Sequence, residues 1–191
     1  MKANNSRVDH EALKEVCKAF LLAVGEDPER PGLLDTPRRF ADHWREFFDY
    51  DPGRTETVFD SLGGDEMVVA GPTRVESFCE HHLLPFNCDI HIGYIASNKV
   101  MGLSKLPRIA HQFAHRLQIQ ERLVMQIGRE VMRVAGCEDV AVVGRGTHSC
   151  ACSRGVKARG LMMTCSFLHG RFKHDSAMRS EFMSFVSSTK S

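Results

Sequence analysis

The sequence predicts an α+β fold, an antiparallel sheet with helices on one face. Three observations predict it. The elements run helices, strands, helices, strands, without the regular alternation that a doubly wound parallel sheet needs. Asp89-Ile90-His91-Ile92-Gly93-Tyr94-Ile95 alternates between two faces with period two, as a strand does. Leu13, Val16, Cys17, Phe20, Leu21 and Val24 recur at the spacing of one helix face. The 191 residues bound the chain to one domain with at most a small appendage, and no repeat or low-complexity tract interrupts it.

The first helix meets a stop at Gly25, followed by a loop over Asp27-Pro28 and Arg30-Pro31-Gly32. Thr36-Pro37 reads as an N-cap followed by proline at the first helical position. Phe40, Trp44, Phe47 and Phe48 form that second helix's apolar stripe, and Asp51-Pro52-Gly53 ends it. Met67-Val68-Val69 and Arg74–Phe78 are short and rich in strand formers. Ser104 is placed to cap a helix through Arg108, Ile109, Phe113 and Leu117, with Pro107 harmless in its first turn. Leu123, Ile127, Val131 and Val134 carry the pattern to Gly136, as a second helix meeting the first near Leu117–Gln120 or as one long bent helix. Val140-Ala141-Val142-Val143 begins a strand that could run on to His148 and Cys150. Leu161–Phe167 is a further strand, and Met178–Val186 a last short helix.

Charge excludes some functions. Lys plus Arg is 25 and Asp plus Glu 24, a net +1, which argues against a general binder of nucleic-acid backbone but leaves room for a local anion pocket. Hydrophobic residues at 42% and charged residues at 26% are ordinary globular values. No apolar run approaches the ~20 residues of a membrane helix. Met1–Arg7 is not followed by an apolar segment suited to a signal peptide, so a cytoplasmic protein with no membrane partner is expected. The seven cysteines are an odd number and nothing points to secretion. Metal ligation or reactive thiols therefore explain them better than a disulfide framework. Several of the ten histidines sit beside cysteines.

The strongest local feature is Cys79-Glu80-His81-His82. Its C-x2-H spacing lets one turn present Cys79 and His82 to a zinc ion. Further ligands are expected from Thr147-His148-Ser149-Cys150-Ala151-Cys152, where a strand would put His148, Cys150 and Cys152 on one face. Cys17, Cys137 and Cys165 read as small buried apolar residues. Cys79, His82, Cys150 and Cys152 could close a structural Cys3His site. Three ligands would instead leave a catalytic position open. His81 and His148 flank the ligand segments and favour the catalytic form, since an open zinc site makes hydroxide available near neutral pH and needs proton carriers. Gly102-Leu103-Ser104-Lys105-Leu106-Pro107-Arg108 gathers a hydroxyl and two cations at a helix start, a phosphate site or simply a capped helix with solvated charges. Arg154 adds a cation after the second metal segment. Glu121 could accept two hydrogen bonds from a guanine edge, although an exposed helix glutamate is the default.

Taken together, these motifs resemble GTP cyclohydrolase I. The matching stretches are Cys79–Phe86, His91–Ile95, Gly102–Lys105, Arg116–Leu123, His148-Ser149-Cys150 and Arg154-Gly155-Val156. Gly32–Arg39 upstream and Arg179–Phe182 downstream fit as well, so the order holds from about Leu13 to Val186. The resemblance implies the tunnelling fold, an antiparallel four-stranded sheet backed by two helices. It divides the chain into an N-terminal helical extension over 1–65 and a catalytic domain over 66–191. It further implies a homo-oligomer, usually a decamer, with active sites between subunits. The implied reaction is hydrolytic opening of the GTP imidazole ring at C8, loss of formate, rearrangement and reclosure to 7,8-dihydroneopterin triphosphate.

Carried over by position, Cys79, His82 and Cys150 would bind Zn2+. His148 would be the main proton carrier and His81 its assistant. Glu121 would grip the guanine edge, with the Gln120 region beside it. Ser104, Lys105, Arg108 and Arg154 would hold ribose and triphosphate, with Arg39 reaching in from a neighbour. Cys88, Asp89, Ala96, Leu161, Met163 and Cys165 depart from the family pattern at packing positions. Cys152 could compete as a fourth ligand or pair with Cys150 under oxidation. Two other readings are a structural zinc protein that binds without turnover, and a sister hydrolase acting on another purine nucleotide.

Overall fold

The computed structural model describes residues 7–61 and 63–188. The first six residues, on which much of the signal-peptide reading rests, lie outside the described residues. The chain forms two compact units, Met1–Asp51 and Pro52–Ser191.

The first unit pairs α1 (His10–Ala23) with α2 (Thr36–Phe48). Cys17 and Leu21 are buried on α1, and Ala41 and Phe47 on α2. The Asp9 carboxylate caps α1 by accepting from the Ala12 amide at 3.0 Å. The expected Thr36 cap shifts by one residue. Asp35 takes the cap position, but its side chain makes no capping bond and pairs with Arg38 instead.

The second unit runs β1 (Val58–Asp60), β2 (Glu66–Cys79), β3 (Pro85–Ala96), β4 (Lys99–Met101), α3 (Lys105–Ala114), β5 (Leu117–Gln118), α4 (Gln120–Ala135), β6 (Val140–His148), α5 (Ser149–Cys152), β7 (Met163–Leu168), α6 (Arg171–His174) and α7 (Ser176–Ser188). It is a mixed α+β structure. Its main sheet has the order β5-β2-β3-β6-β7, and β1 pairs separately with β4. The four strands β2, β3, β6 and β7 are antiparallel to their neighbours, while the two-residue β5 adds a parallel edge to β2. The two short strands expected at Met67–Val69 and Arg74–Phe78 are one strand, β2. Its register shifts between Ala70 and Thr73, where Gly71-Pro72 interrupts the ladder.

One sheet face carries Val75, Ile90, Ile92, Tyr94 and Val142 against α3 and α4, which contribute Leu106, Ile109, Leu123, Ile127 and Val131. The opposite face is also covered. Ile95, Ala141 and Val143 pack with Phe172, Phe182 and Val186 of α6 and α7. Helices therefore lie on both faces, a correction to the one-face expectation. The unbroken apolar run Val140–Val143 is the local cause, because such a strand must bury both sides.

The region between α3 and α4 contains β5, so neither one bent helix nor a first helix reaching Leu117 forms. The buried Ser77 hydroxyl holds this corner by bonding the carbonyls of Ala114 (2.7 Å) and Arg116 (3.1 Å). Gly128 lets α4 approach β7 closely, since a Cβ there would clash with the Phe167 ring. Gly128→Ala is expected to cost about 1–3 kcal/mol of stability through overpacking, read as a lower urea midpoint with an unchanged slope. Among the described residues no helix is long and apolar enough to cross a membrane.

Candidate metal centre and active site

The C-terminal end of β2 delivers Cys79 to a tight turn. The Leu83 amide donates to the Cys79 carbonyl at 2.8 Å, and the Cys79 amide donates to the Leu84 carbonyl at 2.9 Å. Leu83 adopts a left-handed φ of 54°, which lets the chain reverse over four residues. The turn brings His82 Nδ1 to 3.6 Å from Cys79 Sγ, and His81 Nδ1 to 3.8 Å.

The third member comes from far along the chain. Pairing of β3 with β6 places His148 opposite Phe86, while β2 pairs Ser77 opposite Phe86. The strand stops at His148 and α5 turns the chain, so Cys150 does not share a strand face with His148 as expected. It reaches the β2 turn instead. One donor atom from each of Cys79, His82 and Cys150 lies within 4.8 Å of the others. Cys79 is buried, Cys150 half-buried and His82 exposed. Cys152 is not part of this group, and its Sγ lies 3.4 Å from the Ala158 carbonyl.

The donor set suits a divalent metal. Two thiols and an imidazole are a borderline-soft combination that favours zinc over magnesium or calcium. The Cys150 thiol is pushed above its ordinary pKa by burial first and by its neighbour Cys79 second. Two thiolates this close repel, and a cation between them reverses that penalty.

A pocket of about 310 Å³ adjoins the group. Glu121, His81, Ala151, Leu161 and Met163 help to line it. Glu121 is exposed in the first turn of α4, and its carboxylate has no ion pair or hydrogen bond among the described residues. His148 stacks on Phe86, with ring centroids 4.5 Å apart and planes 8° apart. Burial lowers its imidazole pKa, and the Glu121 carboxylate opposes that shift. Glu80, beside His81, pairs with Arg122, which holds its carboxyl below the ordinary range. Arg122 Nε also donates to Gln118 Oε1 at 2.8 Å, and the Gln118 amide donates to Phe113 and Gln126. This buried glutamine ties β5 to α4 beneath the pocket.

The expected substrate residues divide. Glu121 and Gln120 line the pocket, and Arg154 lies beside it with Nη1 3.2 Å from His82 Nε2. The Gln120 side chain is buried, and its amide bonds the Gly144 and Met163 carbonyls and the His148 ring. Ser104, Lys105 and Arg108 gather at the start of α3, away from the pocket lining. Lys105 Nζ donates to the Arg54 carbonyl at 3.0 Å, and Arg108 Nη1 to the Pro52 carbonyl at 2.5 Å. Ser104 holds the cap position without a capping bond. Arg39 belongs to the first unit and pairs with Asp35 at 3.2 Å. The reading of the sequence placed Gln120 beside the guanine edge without its buried hydrogen bonds, and it gave Phe86 and Gln118 no role of their own. Two glutamines bracketing a helix start are the one local signal for them.

Comparison with known proteins identifies the family. The family model for GTP cyclohydrolase I matches residues 13–187. A Dehalococcoides mccartyi protein named GTP cyclohydrolase 1 is 43% identical over 183 residues, covering 93% of this chain and 97% of that protein. The protein of the same name from a Sulfurihydrogenibium species is 40% identical, covering 96% and 98%. The one from Coxiella burnetii is 38% identical over 187 residues, again covering 96% and 98%. With the match spanning the β2 turn, the α4 start and the β6–α5 junction alike, the chain belongs to the GTP cyclohydrolase I family.

Proposed function

We propose that the chain is a zinc-dependent GTP cyclohydrolase I, which opens the guanine imidazole ring at C8, releases formate and yields 7,8-dihydroneopterin triphosphate. The observation that carries this reading is the convergence of Cys79, His82 and Cys150 at the rim of a pocket lined by His148 and Glu121. Zinc, held by those three side chains, would supply Lewis acidity and an activated water for attack at C8.

The chain's own residues do the rest. Glu121, exposed at the pocket and without an ion pair among the described residues, accepts hydrogen bonds from the guanine N1 and N2 hydrogens. It thereby orients C8 towards the metal site. His148 moves protons as the ring opens, and His81 assists at the metal edge. Arg154 grips the triphosphate. A guanidinium only donates, so its present contact requires a lone pair on His82 Nε2. His82 would help to hold the metal, and with a proton on Nε2 it could not accept from Arg154, which would then be free for the anionic tail. Ser104, Lys105 and Arg108 are not in this chain's pocket lining. They serve the site of a neighbouring subunit in a homo-oligomer, a decamer by family resemblance, and Arg39 reaches a neighbour in the same way. A cytoplasmic location follows the substrate.

Incubation with GTP tests the reading. Formate and the pterin absorbance are expected to appear together, to disappear with a chelator and to return with zinc. A fully metallated protein that forms neither product would favour a structural zinc protein instead.

A further inference from the structure

Gln120 is 1% exposed, and its amide makes three hydrogen bonds. Nε2 donates to the Gly144 carbonyl at 3.0 Å and to the Met163 carbonyl at 3.1 Å. Both partners are pure acceptors. Turning the amide over would set its oxygen against two carbonyl oxygens in a buried site, so the orientation is determined by the network. Oε1 therefore faces His148 Nε2, at 2.8 Å. An amide oxygen carries no hydrogen, and the imidazole must donate. Gly146 makes room for this contact, because a Cβ there would lie 2.5 Å from Oε1. Phe86, stacked on the ring, keeps the imidazole in the plane that the bond requires.

We infer that Gln120 is a positioning residue that fixes neutral His148 as the Nε2–H tautomer, leaving Nδ1 as the nitrogen that takes and returns the proton during ring opening. The inference rests on the reading of His148 as proton carrier and deepens it by naming the atom. Nδ1 has no hydrogen-bond partner among the described residues. It takes a proton from the attacking water to give the imidazolium, which keeps Nε2–H on Gln120 throughout and passes the same Nδ1 proton to the leaving nitrogen or ribose oxygen. The ring need not turn between the two transfers, so both occur from one geometry. The anchor also links α4, β6 and β7, so the proton carrier is set by three elements that the packing makes rigid.

The test combines a spectrum with kinetics on the metal-loaded protein. With histidine labelled in 15N, solid-state NMR distinguishes protonated from bare ring nitrogens, and His148→Asn identifies the signals of His148. The expected spectrum shows Nε2 protonated and Nδ1 bare at a pH where the ring is neutral. Gln120→Leu is expected to mix the two tautomers and to lower kcat about 10–100-fold with little change in KM, the usual scale for a lost orienting partner. A bare Nε2 in the unaltered protein would overturn the inference, as would a folded Gln120→Leu with undiminished kcat. Should Gln120→Leu not fold, the unaltered spectrum decides alone. Full turnover by His148→Asn would instead overturn the proton-carrier reading, while the tautomer is still read from the spectrum.

Discussion

His148→Asn is expected to lower GTP turnover by about 10²–10⁴-fold, the range that a positioned acid or base contributes. The reasons are specific to its surroundings. Burial disfavours the imidazolium and leaves a neutral ring to accept a proton, while the Glu121 carboxylate partly offsets that burial. Gln120 and Phe86 hold the ring still. Asparagine can keep a hydrogen bond to the Gln120 oxygen, so the pocket floor survives, but it has no titrating group. The loss is therefore expected in kcat. KM for GTP, bound zinc and the urea midpoint are expected to stay near their original values. A variant that instead lost its metal or its fold would show His148 to be structural. A steady-state titration with zinc analysis on the same sample separates the two.

The second large effect concerns Cys150. Cys150→Ser is expected to release the metal and to reduce turnover by at least about 10³-fold. The metal's share of transition-state stabilisation is several kcal/mol, and each 1.4 kcal/mol is about tenfold. The fold is expected to survive, because Cys150 is only half-buried where it packs against one apolar cluster, and serine is close to it in size. Cys152→Ser is the matched control. Its thiol approaches the Ala158 carbonyl and lies outside the ligand group, so zinc content and turnover are expected to be unchanged. Zinc analysis after dialysis checks both variants.

The sequence made parts of this site readable and hid others for physical reasons. Cys79 and His82 were legible because their relation is local, with three residues and one turn closing the distance. Cys150 was legible as a residue type beside His148, but not as a geometry. A continuing strand was expected to align His148, Cys150 and Cys152, whereas α5 begins at Ser149 and separates them. What carries Cys150 to Cys79 is the β3–β6 register, set by alternation across strands some 60 residues apart. The anchoring role of Gln120 was not legible, since its partners are carbonyls of Gly144 and Met163 and no side-chain motif records a carbonyl. Likewise β5 has two residues, too few for any period, and exists because the end of β2 offers it a free edge. The coverage of both sheet faces could have been read from Val140–Val143. It was missed because the last helix, short and weakly patterned, gave little reason to assign it a face.

The central claim is a metal held by two sulfurs and one nitrogen of this chain, with a position left for solvent. X-ray absorption at the zinc edge, on protein loaded with one zinc per chain and free of GTP, tests it most directly. Two sulfur scatterers near about 2.3 Å and two lighter ones near about 2.0–2.1 Å are predicted, and the two-sulfur count should persist in Cys152→Ser. Three sulfurs in the unaltered protein, falling to two in Cys152→Ser, would contradict the account and describe a closed structural site.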